Sequence, residues 1–189
     1  MNRDEILEAA AQIFRQKGFH AASMQDIAQA VHLQKASLYH HVNSKQDILL
    51  ALLDQALDLL IAQMEAVLLQ PLAADEKLRQ GMKAYLETML ENSDLAAVLL
   101  LEHRSLKPQY HARHIPRRDR FEQLWREMIQ DGLDQGVFDQ DDPALTARAL
   151  LGVMNWTITW YRAGGSLTPD DLAQLYADLF LRGLLVRGD

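Results

Sequence analysis

Apolar residues return at three- and four-residue spacing along almost the whole chain, and a capping side chain opens nearly every run. That period belongs to a helix with one buried face; the alternation that a half-buried strand requires is almost absent. The chain is therefore predicted to be all-α, with about nine helices. Asn2 opens the first with Glu5 as its capping-box partner, Ile6, Ala9, Ala10, Ile13 and Phe14 form the buried stripe, and Lys17-Gly18 ends it. Ser23 caps a short helix over 24–31, and another runs over 35–41. Ser44 and Asp47 open a long helix that Pro71 terminates. A fifth helix fits 75–92 and a sixth fits 94–106; since Leu95 to Leu101 is apolar all round, the sixth is expected to be central. Pro108 and Pro116 punctuate the approach to a seventh helix ending near Gln135. Asp142-Pro143 starts an eighth that Gly164-Gly165 ends, and Thr168-Pro169-Asp170-Asp171 starts a ninth.

Composition narrows the function classes. With 49% apolar residues in 189, the chain has ample material for a packed core. It has no cysteine, which excludes disulfides, thiolate metal sites and cysteine nucleophiles. Arg3, Asp4 and Glu5 stand where the apolar stretch of a secretory signal would begin, and no apolar run is long enough to span a bilayer, so a cytoplasmic location without membrane contact is expected. A net charge of −7 argues at first against nucleic acid. Its distribution reverses that argument. Residues 1–50 carry five Lys/Arg (Arg3, Arg15, Lys17, Lys35, Lys45), five Asp/Glu and four histidines, so the whole excess of negative charge lies in residues 51–189. An acidic body with a neutral head tolerates DNA at one end only.

The head carries the pattern that suits this. In residues 23–42, Ile27, Val31, Leu33 and Leu38 are spaced to lock two short helices together, and Ala28 is small where they cross. The second helix presents Lys35, Ser37, Tyr39 and His41 outward, and Ser44 and Lys45 begin the next helix with N–H groups and an ammonium suited to phosphate. Taken alone, the same residues also fit a plain helical hairpin. The longer stretch Ile6…Ala9-Ala10…Phe14…Lys17-Gly18-Phe19…Ser23…Asp26-Ile27-Ala28…Lys35-Ala36-Ser37-Leu38-Tyr39-His40-His41…Ser44-Lys45…Ile48-Leu49 closely resembles the DNA-binding domain of the TetR family of repressors. The resemblance implies a helix-turn-helix domain over residues 1–46, a ligand-binding and dimerisation domain over 47–189, and a homodimer on a palindromic double-stranded operator. It also implies that a small-molecule effector releases the DNA. The recognition positions it carries over are Lys35, Ala36, Ser37, Tyr39 and His41, and the phosphate contacts are Ser23, Gln25, Tyr39 and Lys45. Two positions depart from the family pattern: His32 replaces the usual turn glycine, where a positive φ is expected, and Ala22 replaces a common hydroxyl residue.

The C-terminal half is similar, more loosely, to the branch of that family regulating fatty-acid or sterol catabolism, through Asp142-Pro143, Gly152, Asn155-Trp156, Trp160-Tyr161-Arg162, Gly164-Gly165 and Arg182-Gly183-Leu184. Members of that branch often sense acyl-CoA thioesters. A hydrophobic pocket is expected from Met82, Tyr85, Met89, Leu99, Leu124, Trp125, Met128 and Trp156, with Asn155 and Tyr161 as polar handles. Trp156 and Trp160 share a helix face, which fits core packing or a dimer bundle first and a pocket wall second. Dimerisation is expected through the eighth and ninth helices, where Ala147, Ala149, Gly152, Ala173, Ala177 and Gly183 permit close crossing beside Leu150, Leu175, Leu179 and Leu184. The basic run Arg113, His114, Arg117, Arg118, Arg120 reads either as a solvated face paired with local acids or as a mouth for CoA phosphates. His103, His111 and His114 lack the spacing of a metal site, no motif calls for a cofactor, and neither a nucleophile elbow nor a phosphate-binding glycine loop is present, so catalysis is not expected.

Overall fold

A computed structural model describes residues 2–139 and 142–184. Its described residues form nine α-helices and no β-strand: α1 Arg3–Lys17, α2 Met24–Ala30, α3 Lys35–Leu38, α4 Lys45–Leu68, α5 Ala74–Glu91, α6 Ser93–Ala97, α7 Pro108–Asp134, α8 Pro143–Trp156 and α9 Pro169–Leu184. The caps are where the sequence places them. Asn2 and Glu5 form a reciprocal box at α1, Ser23 and Asp26 do so at α2, and Ser44 accepts from the Asp47 N–H at α4. Asp142 accepts from the Ala144 and Leu145 N–H groups at α8, and Thr168 and Asp171 cap α9. Each satisfies donors that a helix start otherwise leaves without partners.

Besides α3, which stops at Leu38 rather than His41, three stretches differ from expectation. The sixth helix is regular only to Ala97; Val98–Glu102 widens into a π turn and His103–Ser105 tightens into a 3-10 turn. It is not wholly central either: Val98 is fully buried, but Leu101 is 62% exposed, because a single helix at the edge of a core has only one inward face. The seventh helix begins at Pro108 and passes through Pro116. Pro108 occupies the first helical position, where a missing N–H costs nothing. Pro116 and Ala112, the residue whose carbonyl it leaves without a helical donor, are both exposed, on the side of the helix where a lost ladder bond costs least. The eighth helix stops at Trp156, well before Gly164, and Thr157–Thr159 forms a 3-10 turn. There the Thr159 hydroxyl donates to the Trp156 carbonyl (2.7 Å), and the Thr157 hydroxyl pairs with that of Tyr176 (3.0 Å), drawing the threonines out of the α pattern.

The chain forms two compact units, one of Met1–Asp58 with Asn92–Arg117 and the other of Leu59–Glu91 with Arg118–Asp189. The first thus includes a segment from the middle of the chain, which a single boundary after residue 46 does not anticipate. Its core joins α1 to α3 and the start of α4 with Val98 and Leu106, and Leu95, Leu99 and Tyr110 pack on it half-buried. Arg15 donates to Ser93 Oγ (2.7 Å) and Asp94 Oδ1 (2.8 Å). The Gln46 amide donates to the Ser105 carbonyl and accepts from the Lys107 N–H, both at 2.9 Å.

In the second unit α5 packs along α9, with Lys83–Asp170 (2.5 Å) and Arg79–Asp178 (2.6 Å) ion pairs at its margin. After α7, Gly136 takes a positive φ of 69° and turns the chain so that the Val137 and Phe138 N–H groups both reach the Gly132 carbonyl. The Phe138 ring then lies against Gly132 so closely that a Cβ there would sit 2.2 Å from it. Gly132→Ala is expected to lower the stability of the chain by about 1–3 kcal/mol in a urea titration, the range for overpacking a fitted core. An unchanged midpoint would show that the ring moves aside freely.

Candidate nucleic-acid interface

The first unit holds every residue expected at DNA. Helix α3 is short: after Leu38 the His40 N–H bonds to the Ser37 carbonyl and the His41 N–H to the Leu38 carbonyl, so Tyr39, His40 and His41 lie on tight turns rather than on a continued α-helix. Leu38, fully buried, pins this element to the core that also holds Ile27 and Ala28. Lys35, Ala36, Tyr39 and His41 are exposed and Ser37 is half-buried, so the element offers an ammonium, a phenol and an imidazole to solvent. The turn before it pivots at His32, whose φ is +55°, with the His32 N–H donating to the Gln29 carbonyl and the Leu33 N–H to the Ala28 carbonyl. The left-handed conformation expected at the missing glycine is present, carried by a residue that tolerates it better than most.

Two of the expected phosphate contacts are otherwise engaged. Ser23 Oγ donates to Asp26 Oδ2 (2.7 Å) while accepting from the Asp26 N–H. Lys17 Nζ also donates to Asp26 (2.7 Å), and this bond, with those from Ser23, holds the Asp26 carboxyl far below the usual range. A depressed carboxylate contributes stability above its ordinary value of 3.8, and that contribution is lost as pH falls through the lower folded value. Lys45 turns inward. Its ammonium donates to the carbonyls of Phe19 and Ala22, each at 2.7 Å, and lies 4.4 Å from the centre of the Phe19 ring. Desolvation lowers its pKa, opposed by the nearby Glu102 carboxylate. Gln25, on the first turn of α2, is exposed. The internal role of Lys45 was not legible, since its carbonyl partners lie more than twenty residues away.

The second unit holds most of the expected effector residues. Met82, Tyr85 and Met89 on α5 and Leu124, Trp125 and Met128 on α7 are buried together with Phe121. Tyr85 stacks on Phe121 (5.9 Å) and meets Trp125 edge-on (6.0 Å), and its hydroxyl donates to Asn155 Oδ1. Burial pushes the Tyr85 phenol up, so it stays a neutral donor. Leu99 instead belongs to the first unit, where it packs on the head's core. Trp156 is 67% exposed and Tyr161 half-buried. The basic run is largely paired: His114 with Asp54, Arg117 with Asp54 and Asp58, Arg118 with Asp119, and Arg120 with Glu65 and Glu127. Of the residues expected at a dimer interface, Ala147, Leu150, Ala173, Ala177 and Leu184 are buried in the protomer, whereas Ala149, Gly152, Leu175, Leu179 and Gly183 are exposed. Among the described residues no helix is long and apolar enough to cross a membrane.

The family model described as bacterial regulatory proteins, tetR family, matches residues 6–52, and that of the tetracyclin repressor-like C-terminal domain matches residues 71–184. The chain is 29% identical over 188 residues to the HTH-type transcriptional repressor KstR2 of Mycobacterium tuberculosis, covering 98% of this chain and 94% of that protein. It is similar to the crystal structure of a TetR family transcriptional regulator, PfmR, from Thermus thermophilus, with a TM-score of 0.87 and 41% identity over 94% of this chain and 97% of that one. It is also similar to AibR in complex with isovaleryl coenzyme A and operator DNA, with a TM-score of 0.85 and 28% identity over 98% of each chain.

The inward Lys45 ammonium generates a test. Lys45→Ala is expected to destabilise the chain by about 1.5–3 kcal/mol, the cost of losing charge-assisted hydrogen bonds from buried carbonyls, as measured by urea denaturation without DNA. Unchanged stability with lost operator affinity would mean that the ammonium serves phosphate instead.

Proposed function

We propose, from its membership of the TetR family of bacterial regulators, that this chain is a transcriptional repressor: a homodimer that binds a palindromic operator and leaves it when a hydrophobic acyl effector, such as an acyl-CoA, occupies the second unit. The observation that carries the DNA reading is the exposed set Lys35, Ala36, Tyr39 and His41, with Ser37 beside it, mounted on a turn whose buried Leu38 fixes its direction. In this reading those residues meet the major groove, Lys35 reaching guanine acceptors or the backbone and Tyr39 donating to a phosphate. Gln25 supplies a second backbone contact. Ser23 and Lys45 act by holding α2 and the loop before it in place, the Ser23 N–H itself donating to Asp26 (2.8 Å).

The effector reading rests on the uncharged aromatic and methionine interior of the second unit, and on the acyl-CoA named for the AibR complex. Helices α4 and α7 each supply residues to both units, and the chain also passes from one unit to the other between Glu91 and Asn92. An effector that binds one head spacing more tightly than the other shifts the equilibrium between them, which is all that release requires. The pairing of Arg117, Arg118 and Arg120 with local carboxylates favours the solvated-face reading of the basic run over a CoA mouth.

The dimer reading rests on exposed apolar side chains. Leu145, Val153 and Trp156 on α8, and Leu175 and Leu179 on α9, are 38–67% exposed, an unusual cost for a monomer. Added Cβ atoms at Gly152 and Gly183 would meet nothing within 4 Å, so both positions permit a second chain to approach.

Tyr39→Phe is expected to weaken operator binding by about 1.5–3 kcal/mol on every sequence tested, in fluorescence anisotropy, because a phosphate contact carries no base information. Lys35→Ala is expected to change base preference as well; if both variants bind as the unaltered chain does, α3 is not the reading element. Leu179→Arg is expected to give monomers in sedimentation and to lose operator affinity, since a half-site alone binds weakly. A stable dimer of that variant would place the interface elsewhere. Titration of the operator complex with isovaleryl-CoA and longer acyl-CoAs is expected to release DNA; failure of every chain length would remove the effector assignment and leave the DNA reading standing.

A further inference from the structure

Among the described residues two buried side-chain polar atoms lack a hydrogen-bond partner, and both belong to the second unit. The hydroxyls of Thr157 and Tyr176 pair with each other, and that of Tyr85 donates to Asn155. Trp125 Nε1 is buried and has no acceptor among the described residues, although the whole side chain is 0% exposed. Arg126 Nε shares that condition, but the same guanidinium is anchored on Glu122 and its side chain is 35% exposed. An indole donor without an acceptor is costly in an apolar interior, and a phenylalanine would fill much of the same space without that cost. The rings around it add no charge: Tyr85 and Phe121 both meet Trp125 near-perpendicular, at centroid distances of 6.0 and 6.4 Å.

The neighbouring interior is built to yield. Phe121, Trp125 and Met128 lie on one face of α7, as do Leu78, Met82, Tyr85 and Met89 on α5, and all are buried. Where α5 lacks a side chain, at Gly81, the ends of Met128 and Met64 fill the space: an added Cβ would lie 2.9 Å from Met128 Cε and 3.3 Å from Met64 Cε. These contacts are with the tips of unbranched thioether chains, which swing at little cost. Guest volume therefore comes from displaced methionine ends, one of them on Met128, which stands one turn along α7 from the unpartnered Trp125 donor.

We infer that Trp125 Nε1 is the polar determinant of the effector site: it donates a hydrogen bond to a neutral carbonyl on an otherwise apolar guest that displaces the tips of Met64 and Met128 beside Gly81. This rests on the effector reading proposed above and adds to it the recognised group. A carbonyl matches because a neutral indole, among uncharged rings, accepts an uncharged acceptor at less cost than a carboxylate, whose desolvation no nearby ring offsets. The carbonyl is that of a thioester or a ketone carried on the acyl group.

The test is calorimetric titration of the full chain with two matched pairs: octanoyl-CoA against S-octyl-CoA, which lacks only the thioester oxygen, and cyclohexylpropanoyl-CoA against its ring ketone. In one pair the member with the additional carbonyl is expected to bind about three- to tenfold more tightly, the ratio that one net hydrogen bond gives. Trp125→Phe is expected to bring that ratio to about one. A merely structural Trp125 would lower stability or weaken all four compounds together and leave the ratio intact, which would overturn the assignment. Equal affinity within both pairs in the unaltered chain overturns it without recourse to any variant, and operator release by all four would then leave the effector reading in place. Binding of none of the four overturns both.

Discussion

One ammonium group organises the reading head. The loop between α1 and α2 buries Phe19 and Ala22 while turning their carbonyls away from any helix, and a buried carbonyl without a donor costs about as much as a whole hydrogen bond gains. Lys45 meets both, passes close to the Phe19 ring, and stands at the first turn of α4. The start of α4 is thereby tied to the loop that aims α2 and, through Leu38, α3. Gln46, the next residue, performs a similar task on the other side, where its amide bridges the Ser105 carbonyl and the Lys107 N–H. Two adjacent side chains at the start of α4 thus join the early helices to the segment around residue 105.

That arrangement explains why the head includes residues from the middle of the chain. Arg15, Gln46 and the apolar contacts of Val98 and Leu106 make Asn92–Arg117 part of the same compact unit as α1–α3. The segment is irregular, with a π turn over Val98–Glu102, and helices depart from α geometry most often where function or packing demands it. The π turn sits between the Ser93 and Asp94 side chains, held by Arg15, and the Ser105 and Lys107 backbone, held by Gln46.

Features governed by neighbours in sequence were legible in advance. Each cap read from Asn2, Ser23, Ser44, Asp142 and Thr168 is present, because a cap depends only on residues two or three positions apart. The positive φ at His32 accords with its place where the family pattern has glycine, since turn geometry is also local. What depends on distant partners was hidden. Pro116 looked like a helix boundary and proved to be a helical position on an exposed face. Lys45 looked like a free cation, and Leu99 like part of a pocket with Met82; the carbonyls that claim the one and the core that holds the other are contributed by remote segments. On α8 and α9 the periodicity could not separate the side facing the protomer, with Ala147 and Ala177, from the side left open, with Gly152 and Leu179.

The central claim is that a neutral head on an acidic body reads DNA as one of a pair. It is tested most directly by titrating the chain into a labelled palindromic duplex from the region upstream of its own gene, across a series of salt concentrations, beside a scrambled duplex of equal length. The account predicts two protomers per palindrome, a linear fall of log affinity with log salt, and affinity for the palindrome higher by about a thousandfold or more than for the scrambled duplex. Equal affinity for both duplexes, or no binding at low salt, would contradict it.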